Sequence, residues 1–189
     1  MKVFQAETPL PVEENPKPET RNPKPLAFLP ATTASAEATR TLGRQLAGRL
    51  GPGSVVALYG ALGAGKTQFV KGAAAALGID ERDVRSPTFV IAREYDGRWP
   101  EGHTRAGATA RLYHLDAYRL GGPSDLRAVD YETYFFGDGL CFIEWPERVE
   151  ALLPEGALRL RLEHLDSERR RVFECGSAGG RECGGEETK

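Results

Sequence analysis

Histidine, cysteine and asparagine are scarce in this chain, and each scarcity closes off a class of function. Three histidines (His103, His114, His164) and three cysteines (Cys141, Cys175, Cys183) are spread over 189 residues. His114-Leu-Asp116 sets two potential ligands one strand step apart, but no other histidine or cysteine converges on them, which argues against a zinc centre. The cysteines show neither metal nor disulfide spacing, as expected of a protein held in a reducing cytoplasm. No apolar stretch reaches about 18 residues, so neither a transmembrane helix nor a membrane partner is expected. Residues 1–30 lack the continuous apolar region of a signal peptide. An excess of one charge is also missing: the net charge is -2 and the pI is about 6.0. Such a surface does not grip nucleic acid by itself. The one dense basic run, Arg169-Arg170-Arg171, reads as a solvated turn between two strands.

Core-forming residues are thin at both ends. Residues 1–30 hold seven of the thirteen prolines and repeat Asn-Pro-Lys-Pro at 15–18 and 22–25. Residues 1–28 therefore read as a disordered or extended proline-rich arm. Residues 175–189, rich in glycine and glutamate, read as a disordered tail. Between them, residues 29–174 form one domain, large enough to bury a good core.

Within that domain the apolar pattern alternates between helix and strand. Ala36 to Leu50 reads as a helix, with Leu42, Leu46 and Leu50 on one face, Thr33 or Ser35 as its cap and Gly51-Pro52-Gly53 as its stop. Val55 to Tyr59 is apolar throughout, as in a strand covered on both sides. Phe89-Val90-Ile91 and Arg111 to Leu115 are further strand candidates, with an exposed hairpin loop over 96–110. Pro123 to Phe136 reads as helix in two pieces, and Leu140 to Ile143 as a second buried strand ending at Glu144. A helix follows from Pro146 to Pro154. Leu158, Leu160 and Leu162 alternate with Arg159, Arg161 and Glu163, the pattern of a half-exposed strand, and Arg170 to Cys175 pairs with it as a hairpin. The expected fold is α/β: a P-loop NTPase-like three-layer arrangement, its central sheet mostly parallel with antiparallel edge strands.

The densest information lies in Gly60-Ala61-Leu62-Gly63-Ala64-Gly65-Lys66-Thr67, between the Val55 strand and a helix from Gln68 to Leu77. A strand, a glycine-rich turn and a helix opening with Lys-Thr form a triphosphate cradle. The glycines let successive N–H groups point inward at phosphate oxygens, and the helix N-terminus adds partial positive charge. Lys66 reaches the β- and γ-phosphates, and the Thr67 hydroxyl is placed for Mg²⁺. A second metal partner should be an acid ending a neighbouring buried strand. Asp116 and Glu144 both fit, Glu144 on the more apolar strand. Alternation puts His114 on the same side of its strand as Asp116, which allows either a paired role at the phosphate end or a structural hydrogen bond. An Asn-Lys-x-Asp element is absent, the only asparagines being Asn15 and Asn22, and so is Leu-Ser-Gly-Gly-Gln. Common GTPases and transporter-type ATPases are thereby disfavoured.

Taken in order, Leu62-Gly-Ala-Gly-Lys-Thr67, Ser86-Pro-Thr-Phe89, Tyr113-His-Leu-Asp-Ala-Tyr-Arg-Leu120, Asp130-Tyr131 and Ile143-Glu-Trp-Pro-Glu147 are more specific than a P-loop. Over roughly residues 29 to 174 the chain closely resembles the TsaE (YjeE) family, bacterial ATPases of tRNA threonylcarbamoyladenosine formation. The resemblance implies ATP as ligand, ADP as product and Mg²⁺ held by Thr67 and Glu144. It implies a catalytic set of Lys66, Thr88, Asp116 and Glu144, with Thr88 sensing the γ-phosphate or metal and Asp116 orienting the attacking water. Trp145 would pack beside the nucleotide, and Ser35 and Ala36 would lie near the base. The implied partners are TsaD, which performs the transfer, and TsaB, with tRNA met only through that complex. Ala61 departs from the family, where many relatives carry Asp. Two other readings compete: a small-molecule kinase, with Arg93, Arg98, Arg105 and Arg111 as a closing lid, and a nucleotide-gated binding module with negligible turnover.

Overall fold

The computed structural model describes residues 26–176 and Cys183. Seven strands form one sheet: β1 (Ala31–Thr33), β2 (Val55–Tyr59), β3 (Ala92–Arg98), β4 (Thr109–Asp116), β5 (Leu140–Glu144), β6 (Leu158–His164) and β7 (Arg170–Glu174). Their spatial order is β1-β7-β6-β2-β5-β4-β3. The four central strands, β6, β2, β5 and β4, run parallel, while β3 at one edge pairs antiparallel with β4, and at the other side β7 pairs antiparallel with both β6 and the edge strand β1.

Helices α1 (Ala36–Ala47) and α2 (Lys66–Ala76) belong to one layer, α3 (Pro123–Arg127) and α4 (Tyr131–Phe136) to the other. Every residue of β2 is buried, and its period-two alternation divides them between the layers. Val56 and Leu58 join a core with Leu46, Leu50, Phe69 and Val70. Val55, Ala57 and Tyr59 join the opposite core with Leu126, Phe135 and Val149. The three-layer fold follows from this two-sided burial. In β6, Leu158, Leu160 and Leu162 all enter the first core, as the alternation predicts for a strand with one wet face.

The two helices of the first layer touch through glycine. A Cβ on Gly72 would lie 1.8 Å from the Arg40 carbonyl oxygen, and one on Gly43 would lie 2.1 Å from that of Phe69. No side chain fits at either point, so α1 and α2 meet backbone to backbone. Ser35 caps α1, its Oγ accepting from the Ala38 N–H at 3.1 Å.

Several expectations need correction. Phe89-Val90-Ile91 is a turn, not a strand: Phe89 is 81% exposed, Val90 53%, and Ile91 is left-handed at φ 66°. The strand begins at Ala92 and continues into the stretch read as loop, where Trp99 is buried. Two 3₁₀ turns, Pro146–Arg148 and Glu150–Leu152, replace the helix expected there. Helix α1 stops at Ala47, three residues early, and β1 was not foreseen. The proline-rich arm lies outside the described residues except for its last three, of which Leu26 is buried in the first core and Phe28 packs against it under the Arg49 guanidinium. Of the tail, only residues 175, 176 and 183 are described. Cys175 and Cys183 are joined as a disulfide, against the reading from their spacing. Cys183 returns to β6, where its carbonyl accepts from Arg161. Among the described residues no helix is long and apolar enough to cross a membrane.

Candidate functional site

Parallel strands present their carboxyl ends on one edge, where open α/β sheets gather ligands. Here β2 ends in the glycine loop, β4 ends in Asp116 and β5 ends in Glu144. The register sets Asp116 directly beside Glu144. A cavity of about 390 Å³ opens at this edge, lined by Leu62–Gln68 from the loop and α2, by Ser86 and Thr88, and by Asp116, Tyr118, Glu144 and Trp145.

The loop needs its glycines at two points in particular. Gly60 has φ 139°, and a Cβ there would sit 2.3 Å from the Leu162 carbonyl oxygen. Gly65 has φ 98° and caps α2 without a side-chain hydrogen bond, so no side chain covers the first amides of the helix.

Lys66 is buried, and its ammonium stays inside the loop. Nζ donates to the Gly60 carbonyl at 2.5 Å and to the Ala61 carbonyl at 3.1 Å, and lies 3.7 Å from the centre of the Trp145 ring. Burial pushes the ammonium pKa below the usual lysine range, against the pull of Glu144, Glu147 and Asp116. Trp145 reaches it from a left-handed backbone (φ 59°), a conformation that costs a non-glycine residue of order 1–3 kcal/mol. The Trp145 ring also packs against Tyr118, ring centres 4.9 Å apart.

The two acids have different partners. The Thr67 hydroxyl donates to Glu144 Oε1 at 2.8 Å, and His114 Nε2 meets the same oxygen at 2.8 Å. Asp116 Oδ2 accepts from both Ser86 and Thr88 hydroxyls at 2.6 Å, and Oδ1 accepts from the Tyr118 N–H at 2.9 Å. Asp116 thus ties the 86–91 turn to the sheet, and the Asp116 N–H donates to the Ile91 carbonyl at 2.9 Å.

The cavity therefore brings together Leu62, Gly63, Ala64, Gly65, Lys66, Thr67, Thr88, Asp116, Glu144 and Trp145. Gly60 and Ala61 contribute through carbonyls that hold Lys66. Ser35 and Ala36 do not line it; they open α1, whose Thr39 methyl carbon comes within 3.6 Å of where a Gly65 Cβ would stand. Ser86, Gln68 and Tyr118 were missed as lining residues, although Ser86 and Tyr118 lie within the quoted motifs. None of Arg93, Arg98, Arg105 and Arg111 lines the cavity. Arg111 pairs with Asp96 and Arg98 donates to Gly107, both within the β3–β4 hairpin. His114 pairs with Glu144 and not, as alternation allowed, with Asp116.

The charge balance limits what can enter. Lys66 is the only cation in the lining, against two buried carboxylates. The loop amides and Lys66 favour a polyphosphate, and a metal ion entering with it would offset the two acids. The donor set fits one: Thr67 gives its hydrogen to Glu144 and keeps its lone pairs, beside an acid at the strand end. Hard oxygen donors of this kind suit Mg²⁺.

Comparison with known proteins places the chain in a family. The family model for "Threonylcarbamoyl adenosine biosynthesis protein TsaE" matches residues 33–172. The tRNA threonylcarbamoyladenosine biosynthesis protein TsaE of Treponema pallidum is 41% identical over 138 residues, 73% of this chain and 93% of that protein. Its namesake from Bacillus subtilis is 38% identical over 141 residues, 74% and 80% of the two. The crystal structure of Bacillus subtilis YdiB superposes with a TM-score of 0.61 at 33% identity, covering 77% of this chain and 83% of that one.

Proposed function

Because the chain belongs to the TsaE family of tRNA threonylcarbamoyladenosine biosynthesis, we propose that it is a Mg²⁺-dependent ATPase subunit whose cycle drives turnover of a TsaB–TsaD transferase complex. The observation that carries this reading is the edge where Lys66, held on two loop carbonyls, adjoins the Thr67–Glu144 pair.

In this reading residues 60–67 wrap the phosphates with backbone N–H groups, and the α2 N-terminus faces their charge. Lys66 turns from the loop carbonyls toward the β- and γ-phosphates. Thr67 and Glu144 hold Mg²⁺, which offsets phosphate charge in the ground and transition states. Asp116 orients the water whose oxygen bonds to the γ-phosphorus as the bond to the ADP oxygen breaks. Thr88, bonded to Asp116, senses whether the γ-phosphate is present. Trp145 packs beside the nucleotide, and the first turn of α1, around Ser35 and Ala36, approaches the base.

No arginine lines the cavity, so the lining supplies one cation to a transition state that usually draws on several. Slow turnover alone and faster turnover on a partner follow. The nearly neutral charge suits a subunit that meets tRNA only through TsaB and TsaD.

The test is phosphate release by the purified chain, alone and with its TsaB and TsaD partners. Stimulation in the complex supports a partner-coupled ATPase. No stimulation and no complex would return the chain to a search for kinase acceptors.

A further inference from the structure

His114 is fully buried on β4, yet it makes one polar contact, Nε2 to Glu144 Oε1 at 2.8 Å. Nδ1 is buried with no partner. A carboxylate accepts and does not donate, so Nε2 carries the hydrogen and Nδ1 is a bare lone pair. That tautomer avoids stranding a buried N–H. A histidine kept only for packing has no need of this half-satisfied arrangement, and an apolar residue of similar size would fill the place. The whole polar capacity that His114 uses goes to the acid.

The same oxygen accepts from Thr67. The terminal torsion of a glutamate is soft, but two donors from different elements, α2 and β4, fix one oxygen and with it the carboxylate plane. We propose that His114 is a positioning residue: it holds Glu144 so that the Thr67 hydroxyl donates to the acid and keeps its lone pairs for the cation that accompanies the nucleotide. This rests on reading the cavity as a Mg²⁺–nucleotide site. Hydrogen-bond partners behind a ligating carboxylate act in this way, and losing such a partner typically costs about 10–100-fold in metal affinity or activity. Asp116 has no equivalent need, since Ser86, Thr88 and the Tyr118 amide already hold it.

The test compares two amides of different reach. The side-chain nitrogen of Gln overlays Nε2 of histidine, whereas that of Asn overlays Nδ1. ADP affinity is measured by calorimetry on the full chain, in EDTA and in excess Mg²⁺, for wild type, His114→Gln and His114→Asn. In H114N the Mg²⁺-dependent gain in affinity is expected to fall about tenfold or more, with affinity in EDTA within about twofold of wild type. H114Q should keep most of the gain. Equal loss in both variants, or no loss in H114N, overturns the proposal. Absence of ADP binding by wild type would instead overturn the nucleotide reading, and the proposal with it. A second measurement needs no variant: nitrogen NMR of the wild-type imidazole should show the Nε2–H tautomer with a signal that moves when Mg²⁺ joins the ADP complex. An Nδ1–H tautomer overturns the assignment.

Discussion

Thr67 and Glu144, 77 positions apart in the chain, share a hydrogen bond of 2.8 Å in which the hydroxyl donates and the carboxylate accepts. Its direction decides which atoms are left for a cation, since a hydroxyl that gave its hydrogen elsewhere retains two lone pairs. Glu144→Ala should therefore bind ADP in EDTA nearly as wild type does but lose Mg²⁺-dependent hydrolysis by about a hundredfold or more. Lys66→Ala should show no ATP binding by calorimetry. Unchanged turnover in Glu144→Ala would remove Glu144 from the metal assignment.

Asp116 carries a different prediction, because it binds both the turn and, as proposed, the water. Asp116→Asn should retain nucleotide binding and lose hydrolysis. Thr88→Val, which deletes one of the two hydroxyls on Oδ2, should lower hydrolysis less and cost about 1 kcal/mol of stability. Single-turnover phosphate release and urea unfolding separate the two effects. Weaker ATP binding with unchanged chemistry in both would move Asp116 from catalysis to binding.

The glycine contact between α1 and α2 predicts a steric effect remote from the chemistry. Gly72→Ala must push α2 off the Arg40 carbonyl and should destabilise by about 1–3 kcal/mol. Gly51→Ala, where a Cβ meets nothing within 4 Å, serves as control and should stay within about 0.5 kcal/mol of wild type. Chemical denaturation of both reports the difference, and equal midpoints would mean the helices adjust freely.

Burial of Lys66 predicts a pH effect in the nucleotide-free protein. The native state holds the Lys66 proton less tightly than the unfolded chain, since burial lowers the native pKa. Between the lowered native value and the ordinary lysine range the unfolded chain binds more protons, so stability rises with pH there. Relative to Lys66→Met, the wild-type chain should gain stability as pH rises through that interval and show a flat difference below it. Urea midpoints collected from neutral pH to the ordinary lysine range measure this. A difference that moves the other way would mean that the acids around Lys66 outweigh its desolvation.

Much of the fold could be read from pattern because it is carried by local signals. The all-apolar β2, its glycine loop and the helix opening at Lys66 announce one another within about twenty residues, and Leu140 to Glu144 reads as buried from its own composition. The period of Leu158, Leu160 and Leu162 gave the wet hairpin of β6 and β7. What escaped depended on distant partners. Strand β1 is three residues long and exists through pairing with β7, whose partner residues lie about 140 positions later. Phe89-Val90-Ile91 has strand composition, but the bonds of Ser86 and Thr88 to Asp116 hold it in a turn that faces outward. The partner of His114 was equally out of reach, since alternation says which side a residue faces and not which neighbour it meets. Acids at the ends of β4 and β5 were legible as candidates, and only the register set them side by side.

Thr88 and Phe89 are consecutive, yet one hydroxyl is bonded to Asp116 in the cavity while the next ring lies 81% exposed under the Arg119 guanidinium. Inside and outside are therefore one peptide bond apart at this point. The turn that displays Phe89 and Val90 is tied to Asp116 at three points, the Ser86 and Thr88 hydroxyls and the Ile91 carbonyl, so losing the Thr88 bond releases one tie of three. A change at the Thr88 hydroxyl thus has the length of a single residue to cover before it reaches the outer surface.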